Sequence, residues 1–184
     1  MKLYNGDCLE VMKQNKIYEY ALQVYNNEKK LNDLPYKFRE PVQDAMGKKQ
    51  ELVNYMKDYT LDKIDSYISN KYVSGFESYA KGSSYTYDTD ANAQRYLSDM
   101  VTVSKMDDFE NHPVYHGKIP FNCYIGDSTQ KVVVLHNAAE TQQLFNDWLI
   151  KFNSIKKECW SLKSMVTNST SIDELNKILN ILLK

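Results

Sequence analysis

The residues of this chain whose types could support catalysis or metal binding are Cys8, Cys123 and Cys159, His112, His116 and His136, and the neighbouring carboxylates Asp88/Asp90 and Asp107/Asp108. His112 and His116 have the spacing that puts two imidazoles on one helix face, but Pro113 between them and Gly117 after them forbid that helix, so no metal is expected. The cysteines are odd in number and far apart, with no C-x-x-C, which argues against both a disulfide framework and a zinc site. Cys159 lies at a helical position beside Trp160 and reads as a small core hydrophobe. Cys123 and His136 become cross-strand neighbours only under one hairpin register, and nothing near them in sequence lowers a thiol pKa. Asp88 and Asp90 precede a predicted helix, where capping accounts for them, and Asp107 and Asp108 fall in a polar loop. There is no G-x-S-x-G and no glycine-rich phosphate cradle among only six glycines. The expectation is a protein that is not an enzyme and needs no cofactor.

Leu3-Tyr4-Asn5-Gly6-Asp7-Cys8-Leu9-Glu10-Val11-Met12 looks like the opening of an amino-directed DNA methyltransferase. That chemistry also requires an Asp-Pro-Pro-Tyr-type loop after a strand of a parallel sheet. The nearest match, Asn32-Asp33-Leu34-Pro35-Tyr36, follows a helical stretch and has Leu34 at the first proline position, so the motif is a match out of context.

Composition narrows the class further. With 184 residues, 42% hydrophobic and 12% aromatic, the chain should fold. Its 15 tyrosines suit half-exposed sheets and contact surfaces, because the ring buries apolar area while the hydroxyl stays wet. A formal charge of −1 without long charged blocks disfavours nucleic acid; Lys48-Lys49 and Lys156-Lys157 read as solvated helix faces. There is no run of 18 apolar residues, so no membrane span is expected. The opening residues lack the apolar core and cleavage site of a signal peptide, so the expectation is synthesis in a cytoplasm.

The elements that would position these residues follow from periodicity and punctuation. Leu9 to Leu31 is helical in composition and is interrupted by Asn32-Asp33-Leu34-Pro35. A second helix is expected from Glu40-Pro41 towards Asn70. On it Val42, Met46, Leu52, Val53, Met56 and Ile64 form an apolar face, expected to dock onto another copy or a partner subunit. The rival arrangement folds Leu9 to Leu31 back over that face with Pro35 in the turn. Phe76 to Ala80 and Ser84 to Asp88 flank Lys81-Gly82-Ser83 as a first hairpin, followed by a helix from Ala91 to Val103. Lys105 to Pro120 reads as an irregular surface loop and a fallback contact region. Phe121 to Ile125 and Lys131 to His136 form a second hairpin, whose β-branched return strand KVVVLH is expected to be central and buried. Asn137 with Glu140, and Ser171 with Glu174, open two further helices, Ala138 to Val166 and Ile172 to Leu183. The predicted fold is α+β: two N-terminal helices, then an antiparallel ββαββαα domain, divided as 1–70 and 71–184.

From about Leu61 onwards the chain resembles a family of uncharacterised domains found mainly in bacteriophage tail-fibre and other tail-associated proteins. The resemblance rests on Tyr72-Val73-Ser74-Gly75-Phe76-Glu77-Ser78, Ser84-Tyr85-Thr86-Tyr87-Asp88 and Gln94. It continues in the hairpin Phe121 to His136 before a long helix, and in Leu162 to Val166 followed by Ser171 to Leu175. The resemblance implies a virion protein of the tail or its fibres, non-enzymatic, made in the bacterial host cytoplasm. Its implied partners are other phage structural proteins or copies of itself. The alternative is a tail or fibre assembly factor absent from the mature particle.

Overall fold

The computed structural model describes residues 5–126 and 128–183, with side chains from residue 11 onward. The fold is α+β, with six α-helices and one four-stranded antiparallel sheet among the described residues. No helix among the described residues is long and apolar enough to cross a membrane. The chain forms two compact units, Met1–Lys63 with Leu162–Lys184, and Ile64–Ser161. This replaces the expected division at residue 70: the last helix belongs with the N-terminal ones.

The first unit is helical. Helix α1 spans Asn5–Tyr25, α2 spans Tyr36–Gly47, and α3, Lys49–Val73, begins here. Three helices thus stand where two were expected. The extra break falls after Gly47, a poor helix former, where the Lys48 N–H turns back to the Ala45 carbonyl. Helix α2 also starts earlier than Pro41 suggested, because Pro35 supplies a fixed φ before the first turn. Arg39 holds the preceding turn by donating to the Leu34 and Asn32 carbonyls. Tyr18 of α1 stacks on Tyr55 of α3 with ring centroids 4.9 Å apart. Tyr20 meets Phe38 of α2 edge-on at 5.1 Å. Helix α6, Ile172–Leu182, opens with the predicted Ser171/Glu174 capping box and buries Ile172, Leu175 and Ile178. Its Asn176 donates to Asn26 just beyond α1, and Lys57 donates to the Thr167 carbonyl.

The second unit holds the sheet. Strands β1 (Phe76–Ser78), β2 (Tyr85–Tyr87), β3 (Ile119–Ile125) and β4 (Lys131–His136) lie in the order β1-β2-β3-β4. Helix α4, Ala91–Val103, joins β2 to β3 and is capped by Asp90, whose side chain accepts from the Asn92 and Ala93 N–H groups. Helix α5, Ala138–Asn168, follows β4 with the predicted Asn137/Glu140 reciprocal cap. One sheet face, bearing Phe76, Tyr87, Ile119, Phe121 and Cys123, forms a core with Leu97 and Met100 of α4 and Leu144 of α5. Gly75 is required at the start of β1, since it has φ +80° and a Cβ there would lie 2.8 Å from the Tyr87 carbonyl oxygen. The connection from Lys105 to Pro120 is less irregular than expected. Phe109 is buried in the core, and the Gly117 N–H donates to its carbonyl.

Candidate functional site

The apolar helical face expected to dock is covered within the chain. Val42, Leu52, Val53 and Met56 are buried in the helical unit, Met46 is half-buried, and Ile64 is fully buried in the sheet-bearing unit. The cover in the helical unit comes from its own helices: Ile17 and Ala21 of α1 and Leu175 and Ile178 of α6 are buried as well. A helix face surrounded in this way is packing, and the docking role expected of these six residues is corrected accordingly. An open cleft remains among α1, α3 and α6, lined by Gln23, Tyr55, Tyr59, Asp173 and Asn176, with no basic residue in its lining among the described residues. The Gln23 Oε1 is buried there without a partner among the described residues.

Tyr87, His136 and Cys123 are buried titratable groups in the sheet unit. Tyr87 and Cys123 are register partners across β2 and β3, but His136 pairs with Ile119 and Cys123 with Val132. Cys123 and His136 are therefore not cross-strand neighbours. The His136 Nδ1 lies 3.0 Å from the Val134 carbonyl and its Nε2 lies 2.9 Å from the Tyr87 hydroxyl. A carbonyl can only accept, so Nδ1 carries the proton of the neutral ring and Nε2 accepts from Tyr87. Burial pushes the His136 pKa down against the pull of the Val134 carbonyl and Glu140. Burial also raises the Tyr87 phenol far above its usual range and pushes the Cys123 thiol up. The Cys123 Sγ lies 3.8 Å from the Val132 carbonyl. A thiol held protonated by burial, with no cross-strand base and with both nitrogens of the His136 imidazole engaged elsewhere, is not activated as a nucleophile by this seam. The cluster is a satisfied polar seam of the core.

Two polar ties at the rim were not foreseen. Lys81 makes two contacts of 2.9 Å with Glu140. Burial works upward on Glu140, yet Lys81 and the Asn137 N–H hold its carboxyl below the usual range. Ser78 donates to Asp147 at 2.5 Å. Neither pairing is visible in sequence, because each joins residues more than fifty positions apart. His112 turns inward on its own loop, with Nδ1 accepting from the Val114 and Tyr115 N–H groups. Asp88 pairs with Lys131 at 2.7 Å. No group of three potential metal ligands occurs among the described residues. Of the Leu3 to Met12 motif, Leu3 and Tyr4 and the side chains up to Glu10, Cys8 included, lie outside the described residues, as does Asp127 in the second hairpin.

The exposed apolar surface lies elsewhere. β4 was expected to be central and buried, but among the described residues it is an edge strand, paired with β3 alone and followed by α5. Along β4 the side chains alternate. Val132 and Val134 are half-buried against the core face, while Val133 is 64% and Leu135 50% exposed on the open face. Pro120 is the register partner of Leu135, and a shallow groove lined by Val114, Tyr115, Lys118, Pro120 and Leu135 continues that surface. This strand and its open face, where exposed apolar side chains adjoin one another, are the candidate site. The chain matches no protein-family model, no curated protein and no solved structure, so the role of this surface is argued from its own residues.

Proposed function

We propose that this chain is a non-enzymatic structural or adaptor protein of a bacteriophage virion, associated with the tail or its fibres, that acts through protein–protein contacts. One observation carries the contact role: the β-branched strand of the sheet unit presents Val133 and Leu135 to solvent beside Pro120 and Val114. Exposed apolar side chains that adjoin one another on a single face are the usual mark of an interaction surface. The resemblance of Tyr72–Ser78, Ser84–Asp88 and the elements after them to tail-associated domains supplies the virion setting. What supports a non-enzymatic role is the state of the core seam, where Cys123 and His136 are each engaged by a backbone carbonyl.

Mass spectrometry of purified particles from the phage encoding this chain tests the reading. A virion component appears in stoichiometric amounts. If the chain is absent from particles but co-purifies with tail or fibre subunits from infected cells, the assembly-factor alternative is correct. Absence from both overturns the proposal.

A further inference from the structure

The phase of hydrogen bonding between β3 and β4 determines which backbone groups of β4 face outward. Pairs in an antiparallel ladder alternate between those that exchange two N–H···O bonds and those that exchange none. Pro120 has no N–H, and its carbonyl accepts from the Tyr96 hydroxyl at 2.9 Å, so it turns away from its register partner Leu135. The Cys123 Sγ reaches the Val132 carbonyl, which therefore points towards β3. Both observations give one phase. Val132, Val134 and His136 bond inward to β3, and the backbone N–H and C=O groups of Lys131, Val133 and Leu135 point out of the sheet.

These outward groups make no backbone hydrogen bond outside the ladder among the described residues. Lys131, Val133 and Leu135 are all exposed. Natural sheets blunt such an edge with proline, a bulge, shortness or inward charge. β4 has no proline and no bulge, since its register with β3 runs without a break from Lys131 to His136, and its one edge charge, Lys131 at the first position, is paired with Asp88. The opposite edge differs. β1 is three residues long, and Ser78 at its end is tied to Asp147.

We propose that the outer edge of β4 binds the β4 of a second copy of this chain, antiparallel, across a two-fold axis at Val133. The outward groups at 131, 133 and 135 are symmetric about Val133. An antiparallel copy sets Val133 opposite Val133 and each Lys131 opposite a Leu135, and every one of these pairs can exchange two hydrogen bonds. Charge favours the same arrangement. Lys131 is the strand's only ionised side chain facing the edge, and it is already held by Asp88. The two-fold places the two lysines at opposite ends, whereas a parallel copy in register would set them side by side. A formal charge of −1 per chain adds little repulsion between copies. Val133 and Leu135 of both strands then cover one another on the open face, and Val132 and Val134 extend the inner one.

A second copy is thus one partner for the contact role proposed above. Self-pairing is measured on the isolated chain and incorporation on particles, so either can fail without the other. Sedimentation velocity of the full chain should show a concentration-dependent species of twice its 21.5 kDa mass. Val133→Pro removes an outward N–H while leaving the ladder to β3, and should give monomer with an unchanged far-UV circular dichroism spectrum. Val133→Lys and Val133→Glu keep every backbone group and should each be monomeric, while an equal mixture of the two should restore the dimer, because the two-fold sets position 133 against itself. A wild-type chain that stays monomeric at high micromolar concentration overturns the proposal. So does a dimer that survives in either charged variant alone, or a mixture of the two that stays monomeric.

Discussion

The helices of the first unit and strand β4 of the second both carry dense apolar runs, and they end in opposite environments. Val42, Leu52, Val53 and Met56 are buried, whereas Val133 and Leu135 face solvent. The difference follows from how each element satisfies its backbone. A helix closes its N–H and C=O groups internally, so its apolar face needs only side-chain cover, which α1 and α6 provide. An edge strand has half of its backbone groups unpaired however well its side chains pack. Unpaired backbone groups in the described sheet therefore lie along the β4 edge, beside the exposed Val133 and Leu135.

The largest effect that could break this contrast is a charge in the helical unit. Met56→Asp places a carboxylate at a site only 2% exposed and should cost more than about 3 kcal/mol, read as a lowered urea midpoint. A variant that instead keeps its stability and loses only self-association would return the docking surface to this helix. Next come two prolines in β4. Val134→Pro removes an inward ladder bond and should cost roughly 2–4 kcal/mol. Val133→Pro removes only an outward donor and should cost below about 1 kcal/mol. Reversed costs, with Val133→Pro the more damaging, would mean that the ladder has the other phase.

Gly75 offers a test within the sheet unit alone. At φ +80°, with a new Cβ forced to 2.8 Å from the Tyr87 carbonyl oxygen, Gly75→Ala should cost about 1–3 kcal/mol. The clash falls on β1 and β2, so the loss should appear in thermal unfolding while any association through β4 persists. A dimer lost together with that stability would place the contact on β1 instead.

How much of this was legible in the sequence depends on the range of the interaction concerned. The Asp90 cap, the Asn137/Glu140 pair and the Ser171/Glu174 box are local, and each element begins where those residues mark it. Gly47 is also a local signal, masked by apolar spacing that runs on across it. What covers a face is not local. Nothing in Val42 to Ile64 announces that α6, more than a hundred residues later, joins the helices α1 to α3. KVVVLH reads as central because consecutive β-branched residues suggest cover on both faces. Its edge position follows only from the order of the strands and from the turn into α5. The Tyr87–His136 contact likewise needs the register of three strands before it can be seen.

The smallest effect near neutrality is a slope in pH, and it separates the sheet unit's core from its rim. Burial holds the folded-state pKa of His136 below 6.5, so the unfolded chain takes up a proton first as pH falls. Stability should therefore be unchanged above the ordinary histidine range and be lost progressively as pH falls below it towards the lowered folded-state value. Protonation at Nε2 would also oblige the Tyr87 hydroxyl to turn and stop donating to the imidazole 2.9 Å away. Glu140 acts in a lower window. Its folded pKa is depressed below 4.5, so its contribution is present above that pH and is lost only as pH falls further. His136→Asn should flatten the upper part of the acid limb and leave the lower part intact, and Lys81→Met should do the reverse. Thermal denaturation followed across this range by circular dichroism distinguishes them; an upper limb that persists in His136→Asn would place the titrating group outside the seam of Tyr87 and His136.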